Sequence, residues 1–213
     1  MVHVKICGIT SLADATVAVD AGADLIGFVF HPSSPRYIGP QQARDIADRL
    51  DRGRTKLVGV FVDEEFDRVQ QIAAGVGLDL LQLHGDEPPI YLDGLGPSAY
   101  KALRPRSIQE GRALAEDYWN SARGHLPAFV VDAYNLGTYG GTGAHPDQTF
   151  AAEMARDFPI LLAGGLNEGN VQDAITRVQP WGVDVSSGVE VAPGKKDHAR
   201  VREFIRRAKE LQV

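Results

Sequence analysis

Along the chain, short runs of apolar and β-branched residues alternate with longer stretches in which apolar positions recur every three or four residues. The short runs have strand length and the long ones helical period, the pattern of repeated βα units that build a parallel sheet. Eight runs predict strands over 2–7, 24–30, 56–62, 78–83, 99–103, 128–132, 160–163 and 182–186. The first helix is expected to begin near Ser11, a capping residue, and to stop at Gly22. Pro40 opens the second, where its missing N–H costs little. Further helices are expected over 64–74, 107–119, 147–156, 169–178 and 197–211, while 88–96, with two prolines and two glycines, has the weakest helical pattern.

Eight βα units within 213 residues close most simply into an α/β structure, a (β/α)8 TIM barrel occupying 1–213 as a single domain. The competing doubly wound sheet would carry a glycine-rich dinucleotide fingerprint after its first strand, and Cys7-Gly8-Ile9-Thr10 is not one. Charge narrows the partners. With 28 acidic against 22 basic residues, a net charge of -6 and no basic run, nucleic acid and membrane surfaces are disfavoured, so a small molecule is expected. A lone cysteine forms no internal disulfide and no cysteine metal site, which suits a reducing compartment such as the cytoplasm. No stretch reaches the roughly 18 apolar residues of a membrane span, and no targeting segment is evident at the N-terminus.

A barrel gathers its chemistry at the C-terminal ends of its strands. Cys7 ends the first strand there, with Lys5 two residues back on the same face, where an ammonium would favour the thiolate. A free cysteine alone is more often a small buried hydrophobe, so its company decides its meaning. Asp132 ends the sixth strand, and no helix starts directly after it to claim it as a cap. An ordinary aspartic acid is protonated in only about one part in a thousand at neutral pH, so an acid in that place requires burial.

Gly164 and Gly165 after the seventh strand, and Ser186, Ser187 and Gly188 after the eighth, fall on the two loops that commonly cradle phosphate in this fold. Asp184 precedes the second of these loops and shares a face with Ser186. Gly140-Gly141-Thr142-Gly143 lies on a long connection after strand six, and Gly141 and Gly143 could help it close over a ligand. Arg36 is placed to hold a carboxylate bidentately, and Gln82 and His84 to position a ligand.

Taken together, Lys5-Ile6-Cys7-Gly8-Ile9-Thr10, Ser34-Pro35-Arg36, Leu81-Gln82-Leu83-His84-Gly85, Asp132, Gly140-Gly141-Thr142-Gly143, Leu162-Ala163-Gly164-Gly165-Leu166 and Val183-Asp184-Val185-Ser186-Ser187-Gly188-Val189-Glu190 resemble the phosphoribosylanthranilate isomerases of tryptophan biosynthesis. The resemblance covers nearly the whole chain. It implies a cofactor-free and metal-free Amadori rearrangement of phosphoribosyl anthranilate, with the thiolate matching Cys7 as general base and the carboxyl matching Asp132 as general acid. It also implies that Arg36 holds the anthranilate carboxylate, that the last two loops hold phosphate, and that the chain is a monomer or homodimer. The pattern departs from the family at Ala144-His145-Pro146-Asp147-Gln148-Thr149-Phe150. Two rivals stay open: the related histidine-pathway sugar isomerase, expected to carry an aspartate where Cys7 stands, and a noncatalytic phosphate-ligand sensor, expected to lack Cys7 or Asp132.

Overall fold

The computed structural model describes residues 2–104, 107–122, 124, 127–132 and 148–210. Among these, eight parallel strands form one closed barrel in chain order. They are β1 (His3–Cys7), β2 (Leu25–Val29), β3 (Lys56–Phe61), β4 (Leu80–Leu83), β5 (Ala99–Leu103), β6 (Phe129–Asp132), β7 (Ile160–Ala163) and β8 (Gly182–Val185), and β8 pairs back onto β1. A helix follows each strand: α1 (Leu12–Asp20), α2 (Pro40–Arg49), α3 (Phe66–Val76), α4 (Pro89–Leu95), α5 (Ile108–Ala122), α6 (Gln148–Asp157), α7 (Val171–Val178) and α8 (His198–Glu210). This is the (β/α)8 barrel that the alternation predicts.

The strands are buried on both faces, as a parallel sheet wrapped by helices must be, which is why they read as continuous apolar runs. One face packs Ile6, Ile26, Phe28, Leu83 and Phe129 against the helices. The other turns Leu25, Val58, Leu80, Val130 and Leu161 into a smaller cluster inside the barrel, which plugs its lower half. Register then decides what lies above that plug. Lys5 is level with Asp184, Cys7 with Gly27, Val60 with Gln82, and Asp132 with Ala163. With side chains alternating along a strand, these positions face the axis toward the C-terminal mouth.

Local chemistry sets the ends of the elements. Ser11 Oγ accepts the amide of Asp14 at 3.2 Å and starts α1, and Pro40 occupies the first turn of α2. The fourth strand begins two residues later than its apolar run, because Asp79 turns its carboxylate onto the Leu57 amide at 2.7 Å. Helix α4 is only seven residues long and tightens into a 3-10 turn over Gly96–Ser98, the stretch weakened by proline and glycine. A feature the pattern did not predict lies between β8 and α8. After a 3-10 turn (Ser187–Val189), a small antiparallel hairpin forms from β9 (Glu190–Ala192) and β10 (Lys195–Lys196). Among the described residues no helix is long and apolar enough to cross a membrane.

Candidate active site

The strand ends open into a cavity of about 480 Å³ whose wall includes Cys7, Arg36, Gln82, His84, Asp132, Gly164, Gly165, Asp184, Ser186, Ser187 and Gly188. Residues from seven different strands or their loops, β3 included through Val60, meet around one space. Val29, Val60, Val62 and Leu166 supply its apolar surface, and His31 adds a polar side chain on the β2 side.

Cys7 is half-buried at this wall. The room it occupies depends on Gly27 of the adjacent strand, because a Cβ there would lie 2.9 Å from the Cys7 sulfur. Lys5 does pull the thiol toward thiolate, as expected, but other influences outweigh it. Burial pushes the Cys7 thiol up, and although the Lys5 ammonium pulls it down, Asp184 pushes it up again and the net direction is upward. Lys5 shares its charge between the thiol and a partner.

That partner lies across the barrel seam. Lys5 Nζ stands 2.7 Å from Asp184 Oδ2 and 2.8 Å from Gln82 Oε1, with none of the lysine exposed. Burial disfavours the ammonium, but the Asp184 carboxylate outweighs it and holds the lysine charged. Lys5 thus forms the floor beneath the cavity instead of lining it. The amide of Gln82 continues the chain: Tyr100 OH donates to the same Oε1 at 3.0 Å, and Gln82 Nε2 lies 2.7 Å from His84 Nδ1. Burial, helped by the Lys5, Arg104 and Lys101 cations, lowers the His84 pKa to about 4.

Arg36 reaches the mouth from the loop after β2. Ser34 Oγ accepts the Arg36 amide at 3.1 Å and shapes that turn. Its guanidinium is already held on one edge: Nε donates to Glu190 Oε1 at 2.9 Å and Nη2 to Glu190 Oε2 at 2.7 Å. Lys196 Nζ donates to Glu190 Oε1 at 2.8 Å. Burial works against the Glu190 carboxylate, yet these two cations hold it below its usual range. The three side chains together keep one positive charge, and Arg36 still faces the cavity.

On the opposite side, the loops after β7 and β8 touch. A Cβ at Gly188 would collide with the Leu166 carbonyl, so glycine there brings the two loops into one surface. Two buried oxygens in this region, Ser186 Oγ and Asp184 Oδ1, have no hydrogen-bond partner among the described residues. A donor and an acceptor left bare in a polar recess fit a ligand that supplies both. Gly141 and Gly143, expected to help closure, lie outside the described residues.

The family described as N-(5'phosphoribosyl)anthranilate (PRA) isomerase matches residues 4–207. The chain belongs to that family. It is 48% identical to the N-(5'-phosphoribosyl)anthranilate isomerase of Geobacter sulfurreducens over 209 residues, covering 98% of this chain and 99% of that one. The crystal structure of phosphoribosyl anthranilate isomerase from Thermotoga maritima superposes with a TM-score of 0.86 at 41% identity, over 99% of this chain and 100% of that one. A phosphoribosyl anthranilate isomerase in complex with reduced 1-(o-carboxyphenylamino)-1-deoxyribulose 5-phosphate matches with a TM-score of 0.84 at 40% identity, with the same coverage. Isomerases of this family convert an aldose to a ketose in tryptophan biosynthesis.

For a phosphoribosylanthranilate isomerase, the sequence assigned no role to three side chains at or beside the cavity. His31 followed strand two in plain view but carried no distinguishing neighbour. Glu190 closed the motif after the eighth strand, and only the fold shows its carboxylate on Arg36. Lys196 sits on a two-residue strand, too short to leave a hydrophobic pattern.

Proposed function

We propose that this chain catalyses the Amadori rearrangement of N-(5-phosphoribosyl)anthranilate to 1-(2-carboxyphenylamino)-1-deoxyribulose 5-phosphate, with Cys7 as general base and Asp132 as general acid. The observation that carries the reading is that a thiol from β1 and a carboxyl from β6, well apart around the ring, both line one cavity. No cofactor enters the scheme.

The substrate's two ends match the cavity's two sides. An aromatic ring bearing a carboxylate suits Val29, Val60 and Val62 beside Arg36, whose guanidinium edge away from Glu190 is left to receive it. A phosphate suits the joined loops of Gly164, Gly165 and Ser186 to Gly188, with the bare Ser186 hydroxyl as a donor. His84 and Asp184 then lie between, along the sugar.

The chemistry balances with one acid and one base. Asp132 gives its proton to the ring oxygen as the bond from that oxygen to C1′ breaks, leaving an iminium between C1′ and the anthranilate nitrogen. The iminium acidifies C2′, so a thiolate suffices to remove that proton, and the C2′–H electron pair forms the C1′–C2′ double bond. The resulting enol ketonises at C2′ as C1′ takes up a proton and O2′ releases one, and proton exchange with solvent returns Cys7 to the thiolate and Asp132 to the acid, which completes the ketose. A thiol pushed up by burial becomes a stronger base once ionised, at the cost of a smaller ionised fraction.

Fluorescence-monitored consumption of phosphoribosyl anthranilate, run beside the histidine-pathway aminoaldose, tests the assignment. Cys7→Ser and Asp132→Asn are each expected to lower kcat by at least about a hundredfold while ligand affinity stays close to that of the parent chain. Near-normal turnover in either variant would remove that residue from the mechanism.

A further inference from the structure

We infer that Asp184, Lys5 and Gln82 form a positioning network that fixes His84 as a neutral imidazole with its proton on Nε2, so that the ring offers the cavity an N–H donor. The logic runs from the one group whose role is beyond choice. Lysine's ammonium only donates, so the Gln82 atom 2.8 Å from Lys5 Nζ must be the carbonyl oxygen. Tyr100 OH meets that same oxygen at 3.0 Å, which leaves the Gln82 NH2 as the atom at 2.7 Å from His84 Nδ1. An NH2 donates, so Nδ1 must accept and cannot carry a proton.

A neutral ring that accepts at Nδ1 carries its hydrogen at Nε2. Among the described residues Nε2 has no hydrogen-bond partner, and His84 lies on the cavity wall. The charges around the ring point the same way. Lys5, Lys101 and Arg104 surround it, and each opposes a second proton. Asp184, the counter-charge, is spent on Lys5 at 2.7 Å, so the ammonium keeps its orientation toward Gln82. Four side chains from β1, β4, the loop after β4, and β8 thereby transmit one orientation across the barrel.

The consequence is selectivity at the sugar. A ligand atom facing His84 must be an acceptor, such as a hydroxyl oxygen or the developing ketose carbonyl, and His84 is a donor there and never a base. The part of this that concerns the sugar rests on the proposed substrate site. The tautomer itself does not.

The test is nitrogen NMR of the histidine-labelled chain, followed across pH 5 to 8 with His84 assigned by substitution. The expected spectrum has a pyridine-type nitrogen at Nδ1, a protonated Nε2, and no titration near the ordinary value of about 6.5. Gln82→Glu is the deciding variant, because a carboxylate can only accept from the ring. It should place a proton on Nδ1 while Lys5 and Tyr100 keep their acceptor, and a merely structural glutamine would cause no such switch. A pyridine-type Nε2 in the parent chain, ordinary titration of His84, or an unchanged Nδ1 in Gln82→Glu would each overturn the inference. Reduced 1-(o-carboxyphenylamino)-1-deoxyribulose 5-phosphate then separates the two claims. A shift of the Nε2 proton on its addition, with roughly three- to tenfold weaker binding to His84→Phe, supports donation to the ligand. The tautomer found without any ligand-induced shift upholds the network and rejects the substrate-site reading.

Discussion

Cys7 and His84 face the same cavity, and burial moves each toward its neutral form. For the thiol this means a thiolate fraction still climbing where an ordinary cysteine would be levelling off. Alkylation of Cys7 by iodoacetamide should rise about tenfold per pH unit from pH 7, with no plateau before the ordinary thiol value of 9.0. A plateau near pH 7 would show a thiol already ionised. For the imidazole, the folded pKa of about 4 lies below the ordinary 6.5, so the unfolded chain binds the extra proton first. The stabilisation is present above pH 6.5 and is lost as the pH falls toward 4. Between pH 7 and pH 5 the loss at this one site is about 2 kcal/mol. Urea unfolding at the two pH values should therefore show a smaller drop for His84→Gln than for the parent chain. Sequence reading placed Lys5 and Cys7 on one face correctly, from simple alternation. It could not foresee that Asp184, 179 positions away, would claim the lysine's charge.

At the scale of elements, the loop carrying His84 is held from outside the barrel. Lys101 on β5 is buried, with Nζ 2.5 Å from the Gly85 carbonyl and 2.8 Å from Glu87 Oε2. Glu87 in turn accepts the amides of Asp63 at 2.9 Å and Gly85 at 3.0 Å, tying the loops after β3 and β4 together. Lys101→Met would leave a buried carboxylate with its main cation gone, a change that costs about 3 kcal/mol. Thermal and urea unfolding measure it, and Glu87→Gln combined with Lys101→Met should recover part of the loss. The strands themselves were legible because each is a compact apolar run buried on both faces. The hairpin of β9 and β10 was not, since strands of three and two residues carry no period, and its purpose shows only in the Glu190 carboxylate it brings to Arg36.

The barrel closes only when β8 meets β1, so the two ends of the chain are structurally dependent on each other. A single cooperative unit over 1–213 is the natural proposal, and two tryptophans report on it from separate places. Trp119 packs with Phe158 at 4.8 Å between ring centres, while Trp181 stacks on His3 at 4.1 Å beside the β1–β8 seam. Fluorescence of Trp119→Phe, which leaves only Trp181, fluorescence of Trp181→Phe, which leaves only Trp119, and far-ultraviolet circular dichroism should each coincide in one transition within a given variant. A seam that melts first in the Trp181 signal would divide the chain into two units. The closed topology was readable from eight alternating units, and the residues of its mouth from the ends of those strands; which of them pair with one another depended on register, which no local pattern encodes.

The segment from Ser186 to Glu190 serves both ends of the cavity. Ser186, Ser187 and Gly188 stand on the side proposed for phosphate, and Glu190 grips the arginine proposed for the carboxylate. On the proposed reading, five consecutive residues act as a caliper, setting the separation between two anion-binding jaws. Lengthening or shortening that stretch by one residue would regauge the molecule for a longer or shorter dianion while leaving the thiol and the carboxyl where they are.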